Sequence, residues 1–387
     1  MSNAALADAT ELEKDNVVDL SPAAKTEPEK RVVKAASPAA QKLMNGLDVL
    51  GLGFINPFIR LAYGEDPKAQ YKEMWKVLLV PVLSIFFFLA VWHVLAPNVK
   101  TSLGSIPQPG IVFSQFGDLW ADHKTTQVEK AAFYQEVASL NAELKAKGED
   151  TIKFTGKVTF VEQIFLSIRT VFLGFFIATL IAVPVGIMCG MSSTFNAAMN
   201  PLIQIFKPVS PLAWLPIVAL IASGTYNGLN EPGGDFFGIT GEWLTKKGFS
   251  AAMVTSALVV TLCSLWATLL NTAHGVSSID KDLMNVSKVL KLSPWERITK
   301  IVLPSSLPLI FTGLRLSLGV GWMVLIAAEI MSQSSGLGQF VWEEYNNNGP
   351  TSLARIIAAV LVIGVIGFLL DRMMYTLQAM FTFSDKR

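Results

Sequence analysis

Four ionisable side chains stand inside strongly apolar runs: Arg315 and Glu329 in one, Arg355 and Asp371 in the next. A charge at the centre of a bilayer costs about 3 kcal/mol unless it is paired or hydrated, so each of the four needs a partner. In an antiparallel hairpin, residues at equal depth keep a constant index sum, and the sums for Arg315 with Asp371 and for Glu329 with Arg355 differ by only two. That register predicts two ion pairs, at opposite ends of the hairpin. A second chemistry is open to Arg315: facing a transport pathway, where it would lower the barrier to an anion.

A polar tract of another kind, Gly275 to Pro304, separates two apolar runs. Ser293 can cap a helix, Pro294 suits its first position, and Glu296 sits where a capping box needs it. Leu283, Val286 and Leu290, then Trp295, Ile298 and Val302, recur at helical spacing, with Lys281, Lys288, Lys291, Arg297 and Lys300 on the remaining faces. The pattern predicts two short amphipathic helices on a membrane face. They are either a docking surface for a partner or a loop resting on headgroups.

Other chemistry is missing. The chain has no GxxxxGK[ST] phosphate loop, no HExxH and no GxSxG. His93, His123 and His274 are too scattered for a metal site, and Cys189 and Cys263 both fall in apolar runs. No catalytic residue and no metal are expected. A net charge of +1 without a basic arm gives no reason to expect nucleic acid.

The elements that position these residues are membrane helices, because the 51% of apolar residues is gathered into runs of membrane length. Spans are expected near Met74 to Ala96, Gln163 to Met191, Pro201 to Ser223, Ala251 to Thr272, Ser306 to Met331 and Ser352 to Leu377. Six spans put both ends of the chain on one side. Five basic residues in the polar tract, against none from Ser332 to Ala354, place that side in the cytoplasm. The first 73 residues read as a cytoplasmic extension, disordered and then an interfacial helix, without a cleavable signal peptide.

Residues 97–159 read as an external segment with a helical middle, Thr126 to Lys147, packed over the outer mouth. Thr225 to Gly248 reads as a second external loop. The third expected span contains FKPVSPLAWLPIV, in which Pro208, Pro211 and Pro216 interrupt the hydrogen-bond ladder. Non-helical backbone at membrane depth must be shielded by protein or line a wet cavity, which makes Pro211 and Trp214 candidates for a pathway wall. No internal repeat supplies a second half, so two chains are expected. A carrier driven by an ion gradient is the rival class, with Glu329 and Asp371 as its acids.

The stretch MNVSKVLKLSPWERITKIVLPSSLPLIFTGLRLSLGVGWMVLIAAEIMSQSSGLG, from Met284, resembles the signature of permease subunits of binding-protein-dependent ATP-binding-cassette (ABC) importers. SIRTVFLGFFIATLIAVPVGIMCG and NPLIQIFKPVSPLAWLPIV resemble the same family, extending the likeness to Val161–Leu377. The family's Glu-Ala-Ala triplet and following Gly are replaced here by Asn285, Val286, Ser287 and Lys291. NVSKVLKLS, SLWATLLNTAHGV and VWEEYN are similar to the nitrate and bicarbonate branch.

The resemblance implies an all-α integral membrane protein with a MetI-like core over 160–378, coupling helices at 277–300 and a cytoplasmic tail at 379–387. It implies a homodimer that binds no cofactor of its own, ATP and Mg²⁺ being held by cytoplasmic ATPase subunits, and a periplasmic solute-binding protein. The cargo it implies is a small inorganic anion: nitrate first, with nitrite or cyanate close behind and bicarbonate or a small sulfonate as alternatives. Leu283, Val286, Leu290, Ser293, Pro294, Trp295 and Glu296 would meet the ATPase, with Trp295 as anchor.

Overall fold

A computed structural model describes residues 40–41, 43–44, 46–47, 53–64, 66–101, 104–149, 151–230 and 248–382. Most of the expected disordered extension, the middle of the Thr225–Gly248 loop and the end of the tail lie outside the described residues. The described helices are α1 (Asn56–Ala62), α2 (Pro67–Asn98), α3 (Pro109–Glu136), α4 (Ala138–Lys147), α5 (Phe160–Met191) and α6 (Ser193–Phe206), followed by α7 (Pro211–Asn230), α8 (Ala251–Ser277), α9 (Lys281–Val289), α10 (Pro294–Ser332), α11 (Leu337–Asn347) and α12 (Ser352–Thr382). A two-stranded hairpin, Lys100–Thr101 with Gly104–Ser105, sits between α2 and α3.

The centre of the fold is the contact of α5, α8 and α10. Lipid tails are as apolar as leucine, so helices associate in a membrane through close packing, which small residues permit. Helix α5 carries Gly174, Ala178, Ala182, Gly186 and Gly190 at four-residue spacing. A Cβ on Gly174 would lie 2.6 Å from the Ala257 carbonyl oxygen, one on Gly186 2.8 Å from that of Leu269, and one on Gly190 2.7 Å from that of Ala273. The partners rise together in sequence, so α5 and α8 run parallel. Helix α10 runs antiparallel to α8: Gly313 faces Thr268 and Asn271, the Ser317 hydroxyl donates to the Ser264 carbonyl at 2.8 Å, and Ser256 and Ser332 share a hydroxyl hydrogen bond of 2.7 Å.

Because α5 and α8 are parallel, the chain between them must cross back. It does so through α6 and α7, which meet at 101°. The interruption expected in the Pro201–Ser223 span is thus a sharp bend between two helices, the first of which begins at Ser193. The break occupies 207–210, where Pro208 and then Pro211 supply no N–H, and the Ser210 hydroxyl accepts from Leu212 N (3.3 Å) to start α7. Pro201 and Pro216 remain inside their helices.

The expected short second helix of the polar tract is corrected. Ser293 and Glu296 form the capping box, but the helix they start continues to Ser332 as α10. Continuity is kept by a π turn, Ile298–Val302, in which Leu303 N donates to Ile298 O just before Pro304. The same device, Val80 N to Trp75 O, precedes Pro81 in α2, which therefore begins at Pro67 rather than near Met74. A widened turn gives the proline ring room beside the preceding carbonyls.

Helix α2 stands off the bundle, with no part of its apolar window buried. At its C-terminal end Trp92 packs with Val112, Ala354 and Ala358. Helix α3 lies across the end of the bundle opposite the polar tract, tied to α5 by Lys130–Glu162 (2.9 Å) and by a 2.7 Å bond between His123 Nδ1 and the Thr159 hydroxyl.

Gly186→Leu should abolish monodisperse protein in size-exclusion chromatography, since its side chain has no space against α8. Gly319→Leu, on the same core's α10 but with nothing within 4 Å, should purify like the parent.

Candidate functional site

The polar tract forms an elbow. Asp280 caps α9 by accepting from Asp282 N at 2.9 Å. The helix ends in a tight reversal: Lys291 N donates to Lys288 O (3.0 Å), Leu292 N donates to Ser287 O (3.1 Å), and Lys291 takes a left-handed φ of 48°. Ser287 is fully buried, its hydroxyl donating to Met284 O. The next helix starts at once, with Glu296 N donating to the Ser293 hydroxyl (3.3 Å), Ser293 N donating to Glu296 Oε2 (3.1 Å) and Lys300 pairing with Glu296 (2.9 Å).

The elbow's apolar residues divide into two sets. Ile279, Met284, Ile298 and Leu303 pack with buried Val302 against Ile187 of α5 and Val276 of α8. Leu283, Val286, Val289, Leu290 and Trp295 point away and are 47–80% exposed. Ile298 and Val302 thus leave the face shared with Trp295 in the sequence pattern. The π turn accommodates an additional residue and rotates the remainder of α10 by about 100° relative to a straight α-helix.

In the membrane interior the structure brings Arg315 and Asp371 together through two parallel bonds, Nε to Oδ1 at 2.5 Å and Nη2 to Oδ2 at 2.7 Å. The guanidinium also lies 5.5 Å from the Tyr375 ring centroid.

Glu329 does not meet Arg355, which is a correction. Glu329 is fully buried and accepts from the Ser167 hydroxyl (2.7 Å) and from Gly338 N (2.9 Å), while Leu337 N donates to the Ser167 oxygen (2.8 Å). The carboxyl group therefore sits on the first turn of α11, and a Cβ on Gly336 would overlap it. Arg355 turns instead to Glu344 of α11 and to Gln115 and Asp122 of α3. The index-sum argument fails because α11 is wedged into the hairpin and captures both ends of the expected pair.

Pro211 starts α7, and Trp214 packs against Phe206 across the bend, ring centroids 5.7 Å apart. Arg169, the tenth residue of α5, is a cation outside the four that charge pairing singles out. Its Nη1 donates to Gly248 O (3.3 Å) and its guanidinium stacks 4.2 Å from the Phe249 ring centroid. A single arginine in a helix of membrane length is the signal that marks it in the sequence.

An inward-packed elbow with an outward apolar face, carried by a bundle of membrane helices, is the anatomy of a transport subunit that accepts an external drive. Residues 182–381 match the family described as binding-protein-dependent transport system inner membrane component. The chain belongs to that family. It is a permease subunit of an ABC importer, a multi-pass protein of the inner membrane.

Among its relatives, the bicarbonate transport system permease protein of Synechococcus elongatus is 33% identical over 322 residues, covering 81% of this chain and 94% of that protein. The nitrate import permease protein of the same organism is 32% identical over 211 residues, covering 54% of this chain and 66% of that one. The taurine transport system permease protein of Escherichia coli is 31% identical, covering 58% and 70%.

Alanine at Arg315 and Asp371, singly and together, should show the double variant assembling better than either single one, as a lone charge left in the bundle is worse than none. At the elbow, Lys291→Gly should raise stability by about 1 kcal/mol by removing left-handed strain, and Lys291→Val should lower it, both read from thermal unfolding of the purified protein.

Proposed function

We propose that two copies of this chain form the gated passage of an importer for a small inorganic anion, nitrate on the sequence reading, with ATP and Mg²⁺ on separate ATPase subunits. The observation that carries the reading is the outward apolar face of the elbow: Leu283, Val286, Val289, Leu290 and Trp295 are exposed, whereas Ile279, Met284, Ile298, Val302 and Leu303 of the same elbow are packed inward. Buried aromatics dominate protein interfaces, which makes Trp295 the anchor for the ATPase. The Lys and Arg residues of the elbow support a cytoplasmic location for it, and α3 then faces the solute receptor outside.

Drive would pass inward along the packed contacts. Pressure on Leu283 and Trp295 bears on Ile279, Met284 and Ile298, and through them on Ile187 and Val276 of the interlocked helices. The whole block of α5, α8 and α10 would then tilt relative to the second copy, exchanging inward-open and outward-open states. The break at 207–210 supports the position of the passage. Lys207, Pro208 and Ser210 are exposed in the single chain, and irregular backbone of this kind needs protein or water beside it, not lipid.

Bicarbonate is the second reading. A match covering 81% of the chain necessarily includes α3 and most of α2, whereas the match to the nitrate permease, covering 54%, need not. An ion-coupled carrier is disfavoured, because Glu329 and Asp371 are both occupied in holding helices together.

In proteoliposomes containing permease, ATPase and receptor, Trp295→Ala should reduce ATP-dependent uptake of labelled anion at least tenfold while the protein inserts normally. Unchanged uptake at equal abundance would overturn the assignment of the elbow. Nitrate and bicarbonate offered separately to the same vesicles decide the cargo.

A further inference from the structure

Between α3 and the end of the bundle lies a cavity of about 210 Å³, bordered by Asp122, Thr125 and Thr126 of α3, by Lys157 and Thr159 of the loop that leads into α5, and by Arg355 of α12. We propose that this cavity is a small-oxyanion subsite at the outer mouth, a station that an anion occupies before entering the passage. The inference rests on the reading of the chain as an anion importer.

Arg355 carries the argument. Its guanidinium makes three contacts, Nε to Gln115 Oε1, Nη1 to Glu344 Oε1 and Nη2 to Asp122 Oδ2, and all three are 3.4 Å long. Charge-assisted bonds ordinarily close to about 2.7–2.9 Å, as they do at Arg315–Asp371 (2.7 Å) and Lys130–Glu162 (2.9 Å) in the same molecule. Arg355 is therefore surrounded by acceptors without being saturated by any of them.

The two carboxylates beside it differ. Glu344 is buried and held by the Ser352 hydroxyl at 3.0 Å, so it stays and offsets part of the charge. Asp122 has a side chain 61% exposed, lies on the cavity wall, and is free to swing into solvent. A planar monoanion entering the cavity would replace Asp122 at Arg355 Nη2, with Lys157, exposed at the rim, as its second cation. Two cations facing one displaceable carboxylate favour a small anion over a neutral or cationic solute. The site also links cargo to structure, because releasing Asp122 removes one of the ties between α3 and α12.

The test is calorimetric titration of the purified full-length permease with sodium nitrate and with sodium bicarbonate, sodium chloride serving as the ionic-strength control. Asp122→Asn should tighten binding and Lys157→Gln should weaken it, each roughly fivefold, the effect of one partly exposed charge contact. Glu129→Gln, the same charge change on α3 away from the cavity, should leave the affinity unchanged.

A purely structural Asp122–Arg355 contact predicts no tightening in Asp122→Asn. Absence of binding by the parent protein, or equal affinities in the parent and both cavity variants, overturns the subsite. Vesicles with ATPase and receptor separate the two levels of the claim: uptake of neither anion sinks the anion reading, whereas uptake with unshifted titrations sinks the subsite alone.

Discussion

Backbone-to-backbone approach of α5, α8 and α10 is the constraint on which the rest of the molecule depends. Glycines and alanines four residues apart on α5 let the carbonyls of α8 come within the space a side chain would need. An adjoining face of α8 receives Gly313, Ser317 and Gly321 of α10, and Val260 of α8 meets both Gly174 of α5 and Gly321 of α10. Helices packed at this distance have little room to slide, because dispersion contacts are lost steeply with separation and any longitudinal shift drives a methyl group into a carbonyl. The parallel course of α5 and α8 then requires the broken α6–α7 crossing, and the antiparallel α10 fixes where α11 and α12 begin.

Charged and polar groups act on this frame as local fasteners. The buried Glu329 joins α10, α5 and the first turn of α11 through Ser167 and Gly338, while Arg315–Asp371 holds α12 against α10. The elbow is fastened by apolar packing, Ile279, Met284 and Ile298 meeting residues from α5 and α8. A force applied there reaches the tightly packed block without an intervening flexible loop, since α10 runs unbroken from Ser293 through its π turn to Ser332.

Features that depend on local spacing are legible in the residues themselves. The capping box at Ser293 and Glu296 is set within four residues, membrane spans within about twenty, and Arg315 and Asp371 share a depth that simple counting finds. The bend of 101° is foreshadowed only as an interruption, because proline removes a hydrogen bond without dictating a direction. The Glu329 site is hidden for a different reason. Its partners are a hydroxyl 162 residues away and a backbone N–H, neither of which carries a complementary charge to search for. The helical stripe of Gly174, Gly186 and Gly190 is visible as a four-residue period, and only the structure identifies α8 as the surface it meets. Lys291 shows the converse: the family's glycine position is explained by a left-handed turn that this chain builds with a lysine.

The central claim is that α8 and α10 move as one body during transport. Ser256 and Ser332 touch through their hydroxyls at 2.7 Å, so cysteines placed at both positions, with Cys189 and Cys263 replaced by alanine, can be joined by oxidation. ATP-dependent anion uptake by the oxidised assembly should equal that of the same protein after reduction. Uptake that stops on oxidation and returns with reductant would show that the two helices separate in the cycle, and would contradict the account.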